Sequence, residues 1–481
     1  MRIENHPILG RAPQRRWVRF SFEGEERVGQ EGEPLAAALI ASGDFMLRRS
    51  PLLGEPRGVY CGIGRCSDCL LTVDGMPNVR SCVAPVHEGM RVERQQGLGV
   101  LPEANLCPPA SAKEPFPDCE LLVVGAGPAG LSAAIEAARL GVRTVVVDEN
   151  EEVGGQLRKQ IHKLFGPADF FGGVRGTDLC GILAEQCAQA GAHILLNALA
   201  FGIWSDGTMG IARGGRAWLV RPKFALVATG ATENALAFPG WTLPGVMTAG
   251  AAQTLVNLHR VLPGRRAVVV GAGNVGLIVA YQLLQAGAQV AAVVEIAPRP
   301  GGYYVHAARI ACEAVPVLTK HTLLRCEGEE RVERAVVGPL GADGEPLRGQ
   351  ETVLEADLVC LAVGLSPSAE LAAMAGARLG YFAALGGWLP LHDDSMCTTL
   401  LWLYVAGDAA GVEEVSAAML CGRLAGVDIA RRLGRGEGEM EALESRLRER
   451  LALSRSGPYG EPRAQAHQQV VEQYGTAVAE R

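Results

Sequence analysis

Apolar and polar positions along the chain fall into three patterns. From residue 16 a short strand pattern, WVRFSFEG, runs into a helical one, EPLAAALIAS, and then into a loop rich in glycine and cysteine. A second strand pair follows, LLTVDG and a segment through Val79. From Glu120 the pattern changes to apolar runs of strand length, each meeting an Ala-rich helical stretch at a glycine turn: LLVVGAGPAGLSAAIEAARL and, later, AVVVGAGNVGLIVAYQLLQ. Gly125 and Gly271, which open the two turns, stand 146 residues apart by their numbers, so the unit is an internal repeat. Between the first two patterns lies PEANLCPPASAKEPFPDC, whose prolines sustain neither a helix nor a central strand; residues 102–119 read as a linker. From about Gly436 the chain is rich in Glu and Arg, with one amphipathic helix pattern, MEALESRLRERLAL, and then a polar tail read as solvated or partner-facing.

Composition narrows the class. The 481 residues include 61 glycines, with 48% apolar and only 5% aromatic residues, as close-packed α/β layers require. A formal net charge of −7 leaves no footprint for nucleic acid. The basic cluster Arg11, Arg15, Arg16 and Arg19 is the local exception and reads as a solvated arm or an intersubunit contact. The most apolar stretch, around residues 267–294, is broken by glycines, Asn274 and Gln282, so a buried βα unit is expected rather than an integral membrane segment. The first twenty residues show no export signal. The expected compartment is therefore the reducing cytoplasm, where clustered cysteines point to metal or catalysis.

Such a cluster exists. In GVYCGIGRCSDCLLTVDGMPNVRSC, Cys61, Cys66 and Cys69 stand at C-x4-C-x2-C, and Cys82 follows after twelve residues. Four thiolates, two per iron, are what a [2Fe–2S] cluster needs, and this is the plant-type spacing. Zinc sites typically pair two short cysteine hooks, and only one is present here. Gly62 and Gly64 permit unusual backbone angles close to inorganic sulfur.

The glycine turns carry the second chemistry. In the first, Gly125 allows the tight turn, Gly127 lets a pyrophosphate approach, and Gly130 lets helix and strand pack, with Pro128 and Ala129 between them. The phosphates would meet the helix N-terminus, and Asp148 at the next strand end would bind ribose hydroxyls, with Glu149 beside it. Gly155 and Gln156 of GGQL follow. Thr229 and Gly230 of FALVATGA, and Gly407 and Asp408 of LWLYVAGDAAG, resemble the remaining flavin-binding motifs of flavoproteins with two dinucleotide domains. The resemblance makes the first nucleotide FAD. The second turn repeats the design with Gly271, Gly273, Asn274, Val275 and Gly276, and Glu295 at its strand end favours NAD or another adenosine nucleotide such as ATP over NADP. Whether that site transfers hydride, holds a nucleotide structurally or is empty stays open; Tyr303 and Tyr304 are candidates to line it.

No further redox cysteine pair is evident. Cys180 and Cys187 lie seven apart on a helical pattern, about 10 Å by helix rise. Cys107, Cys119, Cys312, Cys326, Cys360, Cys397 and Cys421 are isolated and expected to be small buried apolar groups. His162, His193, His259, His306, His321 and His392 show no ligand spacing. No catalytic residue is therefore assigned.

With HPILG, RRSPLLGEPRGVYCGIGRCSDC, PNVRSC and ATGATENALAFPGWTLPGVMTAGAAQ, residues 5–435 resemble the α-type subunits of heteromeric amine and amino-acid dehydrogenases and oxidases. These include the proline and hydroxyproline dehydrogenases, opine oxidases, hydrogen cyanide synthase and sarcosine oxidase. The resemblance implies an α/β fold: an N-terminal β-grasp ferredoxin-like domain followed by two Rossmann-like domains. The expected boundaries are 1–101 for the [2Fe–2S] domain, 120–262 with 366–435 for the FAD domain, 263–365 for the interrupting nucleotide domain and 436–481 for a helical tail. It also implies an amine-oxidase-type flavoprotein β-subunit that oxidises the substrate, an interface FMN, and an electron acceptor. A self-contained NADH:acceptor reductase and a non-catalytic scaffold are the alternatives. After Cys421 the chain has no cysteine for the additional C-terminal cluster of many relatives.

Overall fold

The computed structural model describes residues 1–102, 115–166, 168–436, 438 and 440–480; most of the linker reading, Cys107 included, lies outside the described residues. The helices are, in chain order, α1 (Leu35–Ser42), α2 (Pro128–Arg139), α3 (Gly176–Gln189), α4 (Ala249–Asn257), α5 (Asn274–Gln285), α6 (Tyr304–Cys312), α7 (Glu370–Met374), α8 (Val415–Arg432), α9 (Met440–Ser454) and α10 (Glu461–Ala479). Among the described residues, no helix is long and apolar enough to cross a membrane. Two compact units result: Met1–Leu106 with Glu233–Gly364, and Cys107–Thr232 with Leu365–Arg481.

In the first unit, strand Trp17–Phe22 turns Val18, Phe20 and Phe22 inward and its alternate residues outward, because side chains on a strand alternate faces. It pairs antiparallel with Glu25–Gln30 and parallel with Arg91–Arg94; Leu70–Val73 and Met76–Arg80 complete a five-stranded mixed sheet. α1 buries every residue from Leu35 to Ile40, so it lies inside the core rather than on a surface. Arg16 and Arg19 of the basic cluster are exposed, 3.7 Å from Glu31 and Glu26 respectively, surface pairs of little energetic weight.

The same unit holds a parallel sheet ordered Val317–Thr319, Gln289–Glu295, Arg266–Val270, Leu358–Leu361, Val246–Thr248. The stretch 233–262 thus contributes strand Val246–Thr248 to this second nucleotide domain. That pairing joins positions about a hundred residues apart, and no local pattern encodes it.

The second unit repeats the arrangement: a parallel sheet ordered His193–Leu195, Thr144–Val147, Leu121–Val124, Phe224–Val227, Leu403–Val405. Leu121–Val124 and Thr144–Val147 are buried along their whole length, as strands covered on both faces must be. Each repeat also carries a three-stranded antiparallel sheet.

The C-terminal stretch departs from the expected solvated tail. α9 buries Leu447 and Leu451, and α10 buries Ala466, Val470 and Ala477 against Phe382, Leu385, Leu389 and Leu391. Residues 466, 470 and 477 are one helical stripe of small apolar side chains, diluted in sequence by polar neighbours.

Candidate functional site

The four loop cysteines converge. Cys61 hydrogen-bonds with Cys66 and Cys82, and these contacts hold its thiol well below the usual range while pushing Cys66 and Cys82 up. Cys69 meets Cys82 in the same way. Backbone donors also face the sulfurs: Gly64 N–H lies 3.2 Å from Cys82 Sγ, and Cys66 N–H lies 3.4 Å from Cys61 Sγ. Convergent thiols with N–H donors fit a [2Fe–2S] cluster, whose potential such bonds tune. Among the described residues, no three His, Cys, Asp or Glu side chains are disposed around a single ion; a cluster of two irons takes two thiolates at each.

Gly62 has φ +64°, and a Cβ there would lie 3.1 Å from Ala251 Cα of α4, so the cysteine loop is seated closely on that helix. Arg48, 7% exposed, donates from Nε to the Asp68 carbonyl inside the loop, 3.4 Å away.

In the second unit the first glycine turn sits at the C-terminal edge of the parallel sheet, the usual place for ligands in open α/β sheets. A Cβ on Gly125 would lie 2.3 Å from the Ala228 carbonyl oxygen, and one on Gly130 would lie 1.9 Å from the Gly125 oxygen. Gly127 meets nothing within 4 Å, which leaves its side of the turn open. The N-terminus of α2, with Pro128 at its start and Ala129 buried, has no side-chain cap, so its free N–H groups fit a phosphate.

Buried Asp148 accepts from Ala126 N at 2.6 Å and from Asn150 N at 2.8 Å. A carboxylate has about four acceptor positions, so capacity remains for ribose hydroxyls. Glu149 and Gln156 point to solvent, whereas Gly155 packs on the turn, its would-be Cβ 3.1 Å from Gly127 Cα. Thr229 Oγ1 donates to the Ser368 carbonyl at 2.7 Å, and Gly230 takes φ +74°.

Gly407 and Asp408 follow strand Leu403–Val405 and precede α8. A close helix contact that the sequence pattern left unannounced holds α8 to α2: a Cβ on Gly422 would lie 2.1 Å from the Ala129 oxygen. Arg423 Nε bonds Glu136 Oε2 at 2.7 Å along the same contact. The G-x-x-x-G spacing of Gly422 and Gly426 is the one local signal of it.

Asp408 is a poised carboxyl: burial pushes it up to about 6 even though its side chain keeps some solvent contact. Glu413, five residues on, behaves oppositely. Burial works against its ionisation, but His467 and Arg455 outweigh it and hold it at about 2. Neither Arg455 nor His467 carries a sequence motif, and both belong to the C-terminal stretch expected to be a solvated tail.

The second glycine turn reproduces the first. A Cβ on Gly276 would lie 1.9 Å from the Gly271 oxygen, and Gly273 meets nothing within 4 Å. Glu295 accepts from Ala272 N at 2.7 Å and from Ala297 N at 2.9 Å, as Asp148 does in the first repeat. The segment after it folds back: Gly301 N donates to the Ala272 oxygen at 3.1 Å, and Tyr303 N to Asn274 Oδ1 at 2.7 Å. Val275 is partly exposed and Tyr304 is 86% exposed, so Tyr303 is the tyrosine near the turn.

Elsewhere, Cys326, Cys360, Cys397 and Cys421 are buried as expected, together with Cys180 and Cys187. Cys312 departs from the expectation of burial: it is exposed, because the last turn of α6 faces solvent there.

Comparisons with known proteins agree with this division. A family model described as 2Fe-2S iron-sulfur cluster binding domain matches residues 15–97. Another, described as Pyridine nucleotide-disulphide oxidoreductase, matches residues 119–422. The chain is 32% identical over 322 residues to an opine oxidase subunit of Agrobacterium tumefaciens, covering 64% of each chain. It is 29% identical over 447 residues to the alpha chain of sarcosine oxidase from Rhizobium meliloti, covering 76% of this chain and 44% of that one. With the HcnB chain of hydrogen cyanide synthase from Pseudomonas aeruginosa it shares 28% over 371 residues, 69% of this chain and 77% of the relative.

It thus spans less than two thirds of the first two relatives, 64% and 44% of their lengths. Among solved structures, L-proline dehydrogenase from P. horikoshii superposes with TM-score 0.70 at 22% identity, over 92% of this chain and 79% of that one. Thioredoxin reductase from T. acidophilum gives TM-score 0.54 at 21% identity, over 66% of this chain and 99% of that one; both likenesses concern the fold. The cofactor complement is FAD and a [2Fe–2S] cluster. On a match running through both glycine repeats, the chain belongs to the pyridine nucleotide-disulphide oxidoreductase family, joined at its N-terminus to a 2Fe–2S domain.

Proposed function

We propose that this chain is the electron-transfer component of a heteromeric enzyme that oxidises an amino or imino acid. The observation that carries the reading is the union in one polypeptide of a four-cysteine cluster module and a nucleotide unit of the FAD type, in a chain whose relatives are named as subunits of opine and sarcosine oxidases. FAD and the cluster, when bound, supply two-electron and one-electron exchange. This chain's residues bind and orient them: Cys61, Cys66, Cys69 and Cys82 hold the cluster, and Gly125, Gly127, Gly130, Asp148 and Asp408 hold the flavin. Outside the cluster loop the sequence has no C-x2-C or C-x4-C pair, which separates it from dithiol chemistry.

Substrate oxidation then falls to a partner, an amine-oxidase-type flavoprotein β-subunit with FMN at the shared interface, and the acceptor receives electrons from this chain. The test is purification from the native source. A second flavoprotein polypeptide should copurify, and a panel of amino and imino acids with a dye acceptor should show turnover that requires both chains. Turnover by this chain alone would refute the heteromeric reading. A second reading, an NADH:acceptor reductase, is favoured by one observation, the complete geometry of the second glycine turn with Glu295 aligned as Asp148 is.

A further inference from the structure

The C-terminal helices do more than cover apolar surface. Between the contacts of α9 and α10 lies a buried ionic group centred on Glu413, whose side chain is 6% exposed. Arg455, from the end of α9, reaches it with Nη2 at 2.6 Å and Nε at 2.9 Å. His467 of α10 brings Nε2 to 3.0 Å from Glu413 Oε2, an ion-pair distance at which the ring N–H does not point straight at the oxygen. Glu413 in turn donates its backbone N–H to Asp408 Oδ1 at 3.4 Å. Gly411 closes the same turn, and a Cβ there would lie 3.3 Å from His467 Cε1. Two steps therefore connect the C-terminal helices to Asp408.

The charges make the connection consequential. Asp408 and Glu413 are neighbouring carboxylates, and Arg455 supplies the buried countercharge, with Arg463 a weaker one. A buried carboxylate stripped of its partner costs far more than the pair does, so Glu413 depends on Arg455 to stay ionised in place. Its backbone position is what presents an N–H to Asp408.

We propose that Arg455 and His467 are positioning residues for the flavin: through Glu413 they hold the Gly407–Gly411 turn in the form that presents Asp408, and they set the charge beside it. This rests on the reading that Asp408 forms part of the FAD site. Without Arg455, the uncompensated charge of Glu413 disfavours a more electron-rich flavin, so the flavin potential moves negative as FAD affinity falls.

The experiment measures FAD dissociation by flavin fluorescence and the flavin potential against reference dyes, in the full chain, with the [2Fe–2S] absorbance as the internal control. R455M is expected to weaken FAD at least tenfold and shift the potential negative, with cluster content unchanged. R455K should recover most of both. The charge-matched pair E413Q/R455M should return the potential toward wild type while affinity stays reduced, a split that loss of packing alone does not produce. H467Q should weaken FAD less than R455M.

If R455M does not accumulate folded, E413Q/R455M and H467Q read the same quantities, and wild-type affinity in both overturns the proposal. Unchanged affinity and potential in R455M, while D408A loses flavin, also overturns it. Unchanged FAD binding in D408A refutes instead the reading on which it rests.

Discussion

Gly130→Ala is the sharpest perturbation of the flavin unit. The added Cβ would stand 1.9 Å from the backbone oxygen of Gly125, where ordinary contact begins at 3.4 Å, so the turn and α2 must separate by about 1.5 Å. The obstructing atom is backbone and cannot rotate away. Overpacking of this kind costs about 1–3 kcal/mol. Taken from the phosphate-binding geometry, it weakens FAD roughly 5- to 150-fold, at tenfold per ~1.4 kcal/mol. The repeat supplies the control, since Gly276→Ala places its Cβ 1.9 Å from the Gly271 oxygen in the second turn. Flavin fluorescence on the two purified variants is the assay. G130A should lose flavin affinity and G276A should keep it, at comparable cost in thermal stability. Equal flavin loss in both, or loss in G276A alone, would refute the assignment of FAD to the first turn.

Other expectations follow from the same geometry. Cys66→Ser should abolish the cluster's visible absorbance while leaving flavin content within about 20% of wild type, because the two sites share no residue and effects at independent sites add. Exposed Cys312→Ser should change neither, and flavin and iron assays on the two variants decide it. His392, 1% exposed, is pushed down to about 4, chiefly by burial and then by His467, so it is neutral in the folded state. Its contribution is fully present above pH ~6.5 and is lost as pH falls toward 4, up to roughly 3 kcal/mol. Urea midpoints read by flavin release should therefore fall between pH 7 and pH 5, and His392→Asn should flatten the slope; an unchanged midpoint would contradict the buried neutral ring. Arg48→Gln removes a buried cation beside the cysteine loop and should lower the cluster potential, read by dye-mediated titration.

What the sequence made legible was what local spacing encodes. The four cysteines lie within 22 residues, and each glycine turn fits in six, so ligand geometry and loop conformation are written into the same short segment. The close approaches at Gly125 and Gly130 are consequences of that local pattern. Long-range pairing escaped it. Strand Val246–Thr248 joins Leu358–Leu361 through hydrogen bonds that no run of side chains announces. The contact of Gly422 with Ala129 crosses nearly three hundred residues. Arg455 and His467 sit in a stretch whose composition resembles a solvated tail, because a buried ion pair and an exposed one use the same letters; only packing against Leu385 and Glu413 distinguishes them.

The central claim is that electrons reach this chain from a partner and not from a nicotinamide nucleotide. Anaerobic addition of NADH to the purified chain, followed by addition of an amino-acid panel with and without the copurifying polypeptide, tests it with one absorbance trace. The account predicts no flavin bleaching by NADH, none by amino acids with the chain alone, and bleaching of flavin and cluster by an amino acid once the second polypeptide is present. Rapid bleaching by NADH of the chain alone would contradict it.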